Sequence, residues 1–472
     1  MNIILGGGLA GLSAGARLSG SGQPAIVLER GRTVGGLSRT IRHGDYRFDL
    51  GGHRFLTANR QLQSFVSDLL GDDLLTVPRR SRILLKGNYI DYPLSPANAV
   101  FGMGLTETGS ILLDYGREKL RRLIRPRSIT SLEDWVVSRF GRTMFNLYFR
   151  DYSEKVWGIK CRDISKDWVA QRIDGLSLWK FICHSLVRFR STRVKTLTDS
   201  FFYPRQGIGR LADRLAELIS ERNSILTDAE VENIFHADGR ITGIRYAKGG
   251  ASHTLQGNSY VSSIPVTRLV EKMLPAPQEN ILSAARQIRF RSLVIAALFV
   301  DRPAITDLTW MYFPEKEIPF GRIHEPKNWS PELAPPGSSH VVTEYFCNTG
   351  DPAWNASDEC IIDSAAAHLC RLGFFRRSEL IGGKVLRIPY AYPVFDLDYR
   401  HHLKVITDYL GNFCNLYLAG RNGMFSYLNM DQAMESGFHA AERVLLDSRG
   451  CEAAPEKGAA LPHPFFQPAC ST

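Results

Sequence analysis

The opening residues constrain the fold of this chain more than any other stretch. A short apolar run, Asn2-Ile3-Ile4-Leu5, enters Gly6-Gly7-Gly8-Leu9-Ala10-Gly11, and an apolar helical run follows from Leu12 to Leu18. Glycines at 6, 8 and 11 match the GxGxxG spacing of a strand–turn–helix unit that cradles a dinucleotide. Gly6 makes the tight turn, Gly8 lets the backbone approach a pyrophosphate, and Gly11 allows close helix–strand packing. The helix then begins with N–H groups that have no intrahelical acceptor, beside Leu9 and Ala10, where an anion is favoured. A second apolar run, Ala25-Ile26-Val27-Leu28, ends in Glu29-Arg30. Glu29 lies at the distance from Gly11 where an acidic side chain accepts hydrogen bonds from a ribose. The competing reading of Glu29 is a solvated carboxylate at a strand end.

The rest of the chain limits what this unit serves. With 472 residues, two or three domains are expected rather than one core. The cysteines (Cys161, Cys183, Cys347, Cys360, Cys370, Cys414, Cys451 and Cys470) form no CxxC pair and no cluster with histidine, so neither a disulfide framework nor a metal site is expected. An apolar strand beginning at Asn2 argues against a targeting peptide, and the longest apolar run, 293–300, is too short to cross a bilayer. A cytoplasmic location is therefore expected.

The formal net charge of +10 is locally concentrated. Arg117, Lys119, Arg121, Arg122, Arg125 and Arg127 form one run; Arg188, Arg190, Arg193 and Lys195 form another. Solvated helix faces explain most such runs. Attraction of a phosphorylated substrate, or peripheral contact with an anionic membrane surface, are the functional alternatives. Nucleic acid is not expected, because no aromatic residues interleave the basic ones.

Two further glycine pairs follow the acidic residue. Gly35-Gly36-Leu37-Ser38-Arg39 and then Gly51-Gly52-His53 resemble the FAD enzymes related to the amine oxidases. That resemblance implies FAD rather than NAD, with Gly35, Gly36, Leu37, Arg39, Gly51, Gly52 and His53 around it. The remaining cofactor elements come late in the chain: an amphipathic helix over 211–219, strands near Ile225, Val231 and 241–246, and a strand over 416–419 ending at Gly420-Arg421. Val231, Gly420, Arg421, Met430 and Asp431 join the expected cofactor contacts. A helix from about 431 to 446 would turn its positive end toward the flavin.

Further motifs sharpen the resemblance to the UDP-galactopyranose mutase family. They are Tyr152-Ser153-Glu154-Lys155-Val156-Trp157-Gly158, Pro319-Phe320-Gly321-Arg322-Ile323 with Glu325 and Lys327, Tyr390-Ala391-Tyr392-Pro393-Val394, and Gly420-Arg421 with Tyr427 and Met430-Asp431. Their order matches the family from one end of the chain to the other. The resemblance implies a nucleotide-activated sugar as substrate and exchange of pyranose for furanose without net redox. In that chemistry N5 of reduced FAD attacks the anomeric carbon, so the cofactor acts as the covalent catalyst. NAD(P)H is the implied candidate reductant, and cell-surface polysaccharide biosynthesis the implied setting.

On the same resemblance Arg322 and Arg421 pair with the substrate diphosphate, which suits the planar guanidinium. Tyr392 and Tyr427 serve the same phosphates, Tyr152 and Trp157 pack on the base or sugar, and His53 lies beside the flavin. Arg172 is the nearest match to a further family arginine, displaced by one position. Leu428 and Asn429 stand where the mutases carry tyrosine and aspartate. Tyr152 and Trp157 also read as ordinary core aromatics, and His53 as a loop histidine or an acid–base group.

The fold expected is α/β: a Rossmann-like FAD-binding domain with an inserted helical part and a mixed β-sheet substrate part. The cofactor domain combines 1–75, 203–267 and 410–448. A helical domain spans 95–200, a mixed-sheet substrate domain takes 76–94 and 268–409, and 449–472 forms a disordered tail. The same cradle also serves FAD-dependent oxidoreductases of the amine oxidase, protoporphyrinogen oxidase or carotenoid desaturase type, and non-catalytic FAD-binding proteins. A pair of arginines among tyrosines favours the mutase-like reading. Oligomeric state is not legible.

Overall fold

The computed structural model describes residues 1–92, 105–124, 128–169 and 200–449. Arg172, the basic cluster at 188–195 and the tail from 450 onward lie outside the described residues.

A parallel five-stranded sheet runs in the order Leu416–Leu418, Ser259–Ser262, Asn2–Leu5, Ala25–Leu28 and Ser224–Leu226. Alternation along each strand explains why both faces are covered. Ile4, Val27 and Val261 point into one core with the helices Leu9–Gly20, Gly209–Ser220 and Met430–Arg449. Ile3, Leu5, Leu28 and Tyr260 point into a second core. There they meet the antiparallel strands Glu230–Ala237 and Arg240–Lys248, and the helices Glu279–Gln287 and Tyr399–Leu410. The strand centre is therefore continuously apolar, as a sheet covered on both faces requires.

A mixed seven-stranded sheet is built around Phe290–Val300, which pairs antiparallel with Ser339–Cys347 on one side and Leu380–Pro393 on the other. Val294, Ala296 and Leu298 face one core, closed by the helix Asp358–Arg371. Leu293, Ile295 and Ala297 face another, shared with Phe48 and Leu50. The longest apolar run of the sequence, 293–300, is thus a strand buried on both sides.

A helical part packs on the seven-stranded sheet through the helix Arg150–Trp157, which meets the strands Phe290–Val300 and Leu380–Pro393. Leu132–Phe140 starts at a capping box between Ser131 and Asp134. A π-helical turn over Phe145–Phe149 leads into Arg150–Trp157, which stops at Gly158 with φ of 67°. The core there gathers Trp135, Phe140, Phe145 and Trp157.

Candidate active site

The nucleotide end of the site is made by close backbone approach. Gly6 has φ of 100°, and a Cβ on Gly11 would lie 1.9 Å from the Gly6 carbonyl oxygen, so only glycine allows the helix to start this near the strand. The Gly35 N–H donates to the Gly7 carbonyl at 2.7 Å, and a Cβ on Gly36 would stand 3.0 Å from the Gly8 Cα. Arg39 Nε donates to the Gly36 carbonyl at 3.0 Å, bracing that loop, with Leu37 packed against the core beneath.

The helix Leu9–Gly20 has no side-chain cap and no acidic residue in its first turn. Its leading N–H groups are thus available to an anion. Glu29 accepts from the N–H groups of Gly7 and Gly31, each at 2.8 Å. Each oxygen takes one donor and keeps a lone-pair direction free. Arg30 is exposed at the same edge. The Asp228 and Ala229 N–H groups donate to the carbonyls of Gly31 and Glu29, which brings buried Val231 alongside.

The far wall is the helix Met430–Arg449. A Cβ on Gly437 would meet the Ala10 carbonyl oxygen at 2.0 Å. Gly420, with φ of 78°, donates to Ser436 Oγ at 2.9 Å, and a Cβ there would lie 2.9 Å from the Ala10 Cβ. Met430 is buried, and Asp431 Oδ1 is buried without a hydrogen-bond partner among the described residues. These residues form an open cradle for a dinucleotide, with unsatisfied N–H groups at one end and an acid at the other.

Past the cradle lies a buried charged cluster. Arg322 donates through Nε to Glu344 Oε1 at 2.7 Å and through Nη2 to Oε2 at 2.5 Å. The Glu344 side chain is 0% exposed and that of Arg322 19% exposed. Burial alone would raise the Glu344 carboxyl, but the Arg322 guanidinium, helped by His324, brings it down to about 2. The Gly51–His53 loop packs on this pair. The Gly52 N–H donates to Glu344 Oε1 at 3.1 Å, and a Cβ on Gly51 would lie 3.3 Å from Oε2.

His53 Nδ1 is buried with no partner among the described residues. Burial first, then the positive charges of Arg421 and Arg322, pull its imidazole down to about 3 against the pull of Glu344. His53 is thus neutral near pH 7, suited to a neutral hydrogen bond within the cleft.

Arg421 is the second cation. Its Nε donates to the Leu428 carbonyl at 2.9 Å and its Nη1 to the Ala391 carbonyl at 3.2 Å. The guanidinium lies 5.0 Å from the Tyr427 ring and 5.4 Å from the Tyr392 ring, and the two rings stack at 5.9 Å. Among the described residues no carboxylate comes within 4.0 Å of it. Leu428 thus contributes its backbone where the mutases place a tyrosine. Burial, partly offset by Arg322, pushes the Tyr392 phenol up to about 12.

Trp157 is buried behind these tyrosines, edge-on to Tyr392, Tyr427 and Trp168. Tyr152 stands edge-on to Tyr312 at 5.5 Å, and Arg322 acts on its phenol electrostatically. The structure therefore brings together His53, Arg322, Arg421, Tyr152, Tyr392 and Tyr427, with Trp157 as their backing.

Several motif residues hold the scaffold instead. Lys155 donates to the carbonyls of Phe313, Glu315 and Ile318 at 2.7, 2.5 and 2.9 Å, fastening the loop before Arg322. Buried Glu325 accepts from Ile305, Thr306 and Ser339, and Lys327 donates to the Ser338 carbonyl. Sequence reasoning missed Glu344. Its signal was a single acid within the mostly apolar stretch Val341-Val342-Thr343-Glu344-Tyr345-Phe346. Arg291 was missed too; it caps the helix Arg150–Trp157 by donating to the Lys155 and Val156 carbonyls.

Comparison with known proteins gives this geometry a context. The family described as flavin containing amine oxidoreductase matches residues 9–445. An L-amino acid oxidase of Crotalus durissus cumanensis is 41% identical over 64 residues, which cover 14% of this chain and 13% of that protein. Among solved structures, a reduced UDP-galactopyranose mutase superposes with a TM-score of 0.82 at 21% identity, covering 94% of this chain and 93% of that one. A putative protoporphyrinogen oxidase from Exiguobacterium sp. 255-15 follows at TM-score 0.72 and 17% identity, covering 94% and 98%. At these identities the superpositions speak to the fold alone.

Proposed function

The chain belongs to the flavin containing amine oxidoreductases and is an FAD-dependent protein, and from that premise we propose that it isomerises a nucleotide-activated sugar between pyranose and furanose forms. One observation carries the reading. Arg421 is a cation with no carboxylate within 4.0 Å among the described residues, flanked by two tyrosine rings and close enough to Arg322 for both to depress His53. With Glu344 neutralising Arg322, the cluster keeps a surplus positive charge. A diphosphate complements that surplus, whereas an ammonium substrate would be repelled by it. The likeness in fold to a reduced UDP-galactopyranose mutase supports the same reading.

On this reading Arg421 binds the diphosphate by charge and by its remaining N–H donors. Arg322, held flat by Glu344, presents its remaining edge to the same group. Tyr392 and Tyr427, against the Arg421 guanidinium, offer hydroxyls to the same phosphates, and Tyr152 and Trp157 pack on the base or sugar. His53 stays neutral beside the cofactor and orients it without carrying charge. The bound cofactor, once reduced, supplies the nucleophile for the anomeric carbon, and the chain supplies binding and orientation. Such a substrate implies work in the cytoplasm, in the supply of sugars for surface polysaccharide, with NAD(P)H as reductant.

The test is an anaerobic product assay with UDP-, GDP- and dTDP-sugars, comparing dithionite-reduced with oxidised enzyme. Isomerisation confined to the reduced enzyme is the expected result. Oxygen consumption with an amine, a porphyrinogen or a polyene, and no turnover of any sugar, would replace this reading with an oxidase.

A further inference from the structure

One feature of the helical part is unrelated to the cofactor cleft. The helix Leu105–Ile124 carries Leu112, Leu113, Leu120, Leu123 and Ile124 at 46, 65, 60, 81 and 70% exposure. Among the described residues no other helix carries more than one exposed large apolar side chain. At about 100° per residue these five, with Gly116, fall on one stripe about 120° wide. Exposed Lys119 borders the stripe on one side, and exposed Arg117 and Arg121 border it on the other.

The opposite face is anchored. Ile111 is buried in the helical core, and Asp114 accepts from the Thr143 N–H at 2.7 Å. Glu118 pairs with Arg122 at 2.9 Å, and Arg122 donates onward to the Asp134 carbonyl. Over residues 109–124 both acids therefore point inward or along the anchored side, and the outward face is apolar with basic margins only.

We propose that this face docks the protein onto an anionic lipid surface. An apolar stripe between basic margins is the pattern of a helix lying in the membrane interface, its leucines at the headgroup–acyl boundary and its cations among the headgroups. Charge decides between a membrane and a second copy of the chain. Pairing two such faces brings Arg117, Lys119 and Arg121 against their own kind, with only Arg121 partly offset by Glu118 at 3.7 Å, whereas anionic headgroups complement all three. No helix among the described residues is long and apolar enough to cross a membrane, so the attachment is peripheral.

The test is flotation of the full-length, FAD-loaded protein with phosphatidylcholine vesicles, with and without phosphatidylglycerol. The protein is expected to float with the anionic vesicles, less so as salt is raised. The triple variant Leu113→Gln, Leu120→Gln, Leu123→Gln weakens binding about tenfold or more. The double variant Arg117→Glu, Arg121→Glu does so by about tenfold. All five side chains are exposed, so unchanged flavin content and melting temperature certify folding. Failure of the wild type to float with anionic vesicles overturns the proposal. Equal flotation of wild type and both variants overturns it too. So does a concentration-dependent dimer, seen by sedimentation velocity, that the leucine variant abolishes while no vesicle is bound.

Discussion

Arg322 and Glu344 are direct cross-strand partners on the antiparallel strands Arg322–His324 and Ser339–Cys347, and that register joins a motif arginine to an acid outside every motif in one two-pronged ion pair. Opposed side chains on neighbouring strands lie close enough to bond without bending either backbone. The pair is buried, so its worth is measured by what remains when one partner goes. Arg322→Ala leaves a buried carboxylate, and Glu344→Ala a largely buried cation. Each is expected to cost roughly 3–5 kcal/mol, while Arg322→Met with Glu344→Leu costs less than either alone. Urea unfolding of the flavin-loaded proteins checks this, and single variants within about 1 kcal/mol of wild type would show that the pair is not a buried one.

Arg421 makes a different prediction because its cation has no carboxylate partner among the described residues. Arg421→Ala should keep the flavin spectrum and lose affinity for UDP by about ten- to a hundredfold, the range for one charged hydrogen-bonding group. Arg421→Lys restores only part of it, since the ammonium cannot copy the fork. Calorimetric titration of UDP into each protein reads the effect. Loss of flavin instead would assign Arg421 to the cofactor.

The histidines set the acid limit of stability. His340 is fully buried, its Nε2 facing the Arg47 carbonyl at 2.9 Å, and burial holds it down to about 3 against an ordinary 6.5. Below pH 6.5 the unfolded chain therefore takes up a proton that the folded chain refuses. His340 thereby lowers stability across that window by up to about 1.4 kcal/mol per pH unit, and His53, held down to about 3 in the same way, adds its own share. Glu344, held at about 2 against 4.5, acts lower: its contribution is complete above pH 4.5 and lost as pH falls toward 2. Urea midpoints measured from about pH 6.5 down to about pH 5 should drop, and His340→Gln should flatten the slope. An unchanged slope would mean that His340 titrates freely.

Gly437 tests the packing of the cradle. An added Cβ would stand 2.0 Å from the Ala10 carbonyl oxygen, so Gly437→Ala must separate the helices Met430–Arg449 and Leu9–Gly20. A loss of about 3 kcal/mol or more, with released flavin, is expected. Gly20→Ala is the control, because a Cβ there meets nothing within 4 Å; it should change stability by less than about 1 kcal/mol. Calorimetric melting and flavin fluorescence report both, and equal behaviour of the two variants would refute the close approach.

The sequence by itself determined what is local. Glycine spacing, the short apolar strand and the helical run after it specified a strand, turn and helix because each signal lies within a few residues of the next. The acidic residue at the end of the second strand fitted the same dinucleotide cradle, the resemblance carried by the later glycine pairs implied FAD, and the superpositions bear out the fold. The run at 293–300 was legible as a continuous apolar segment that needs cover, and the fold makes it a strand buried on both faces.

Only the tertiary structure decided which motif residues meet. Arg322 and Glu344 are joined by strand register, which no local pattern encodes. Lys155 and Arg322 read alike as motif cations, yet one is caged by three carbonyls and the other lies against a carboxylate. Trp157 joins the core while Tyr392 and Tyr427 flank the Arg421 guanidinium, because the helix Arg150–Trp157 ends against Tyr392 of the strand Leu380–Pro393. Likewise the basic run after residue 105 became meaningful only when packing buried Ile111 and left the leucines outside. Burial and register are properties of distant segments brought together, and so they belong to the fold and not to any one stretch of sequence.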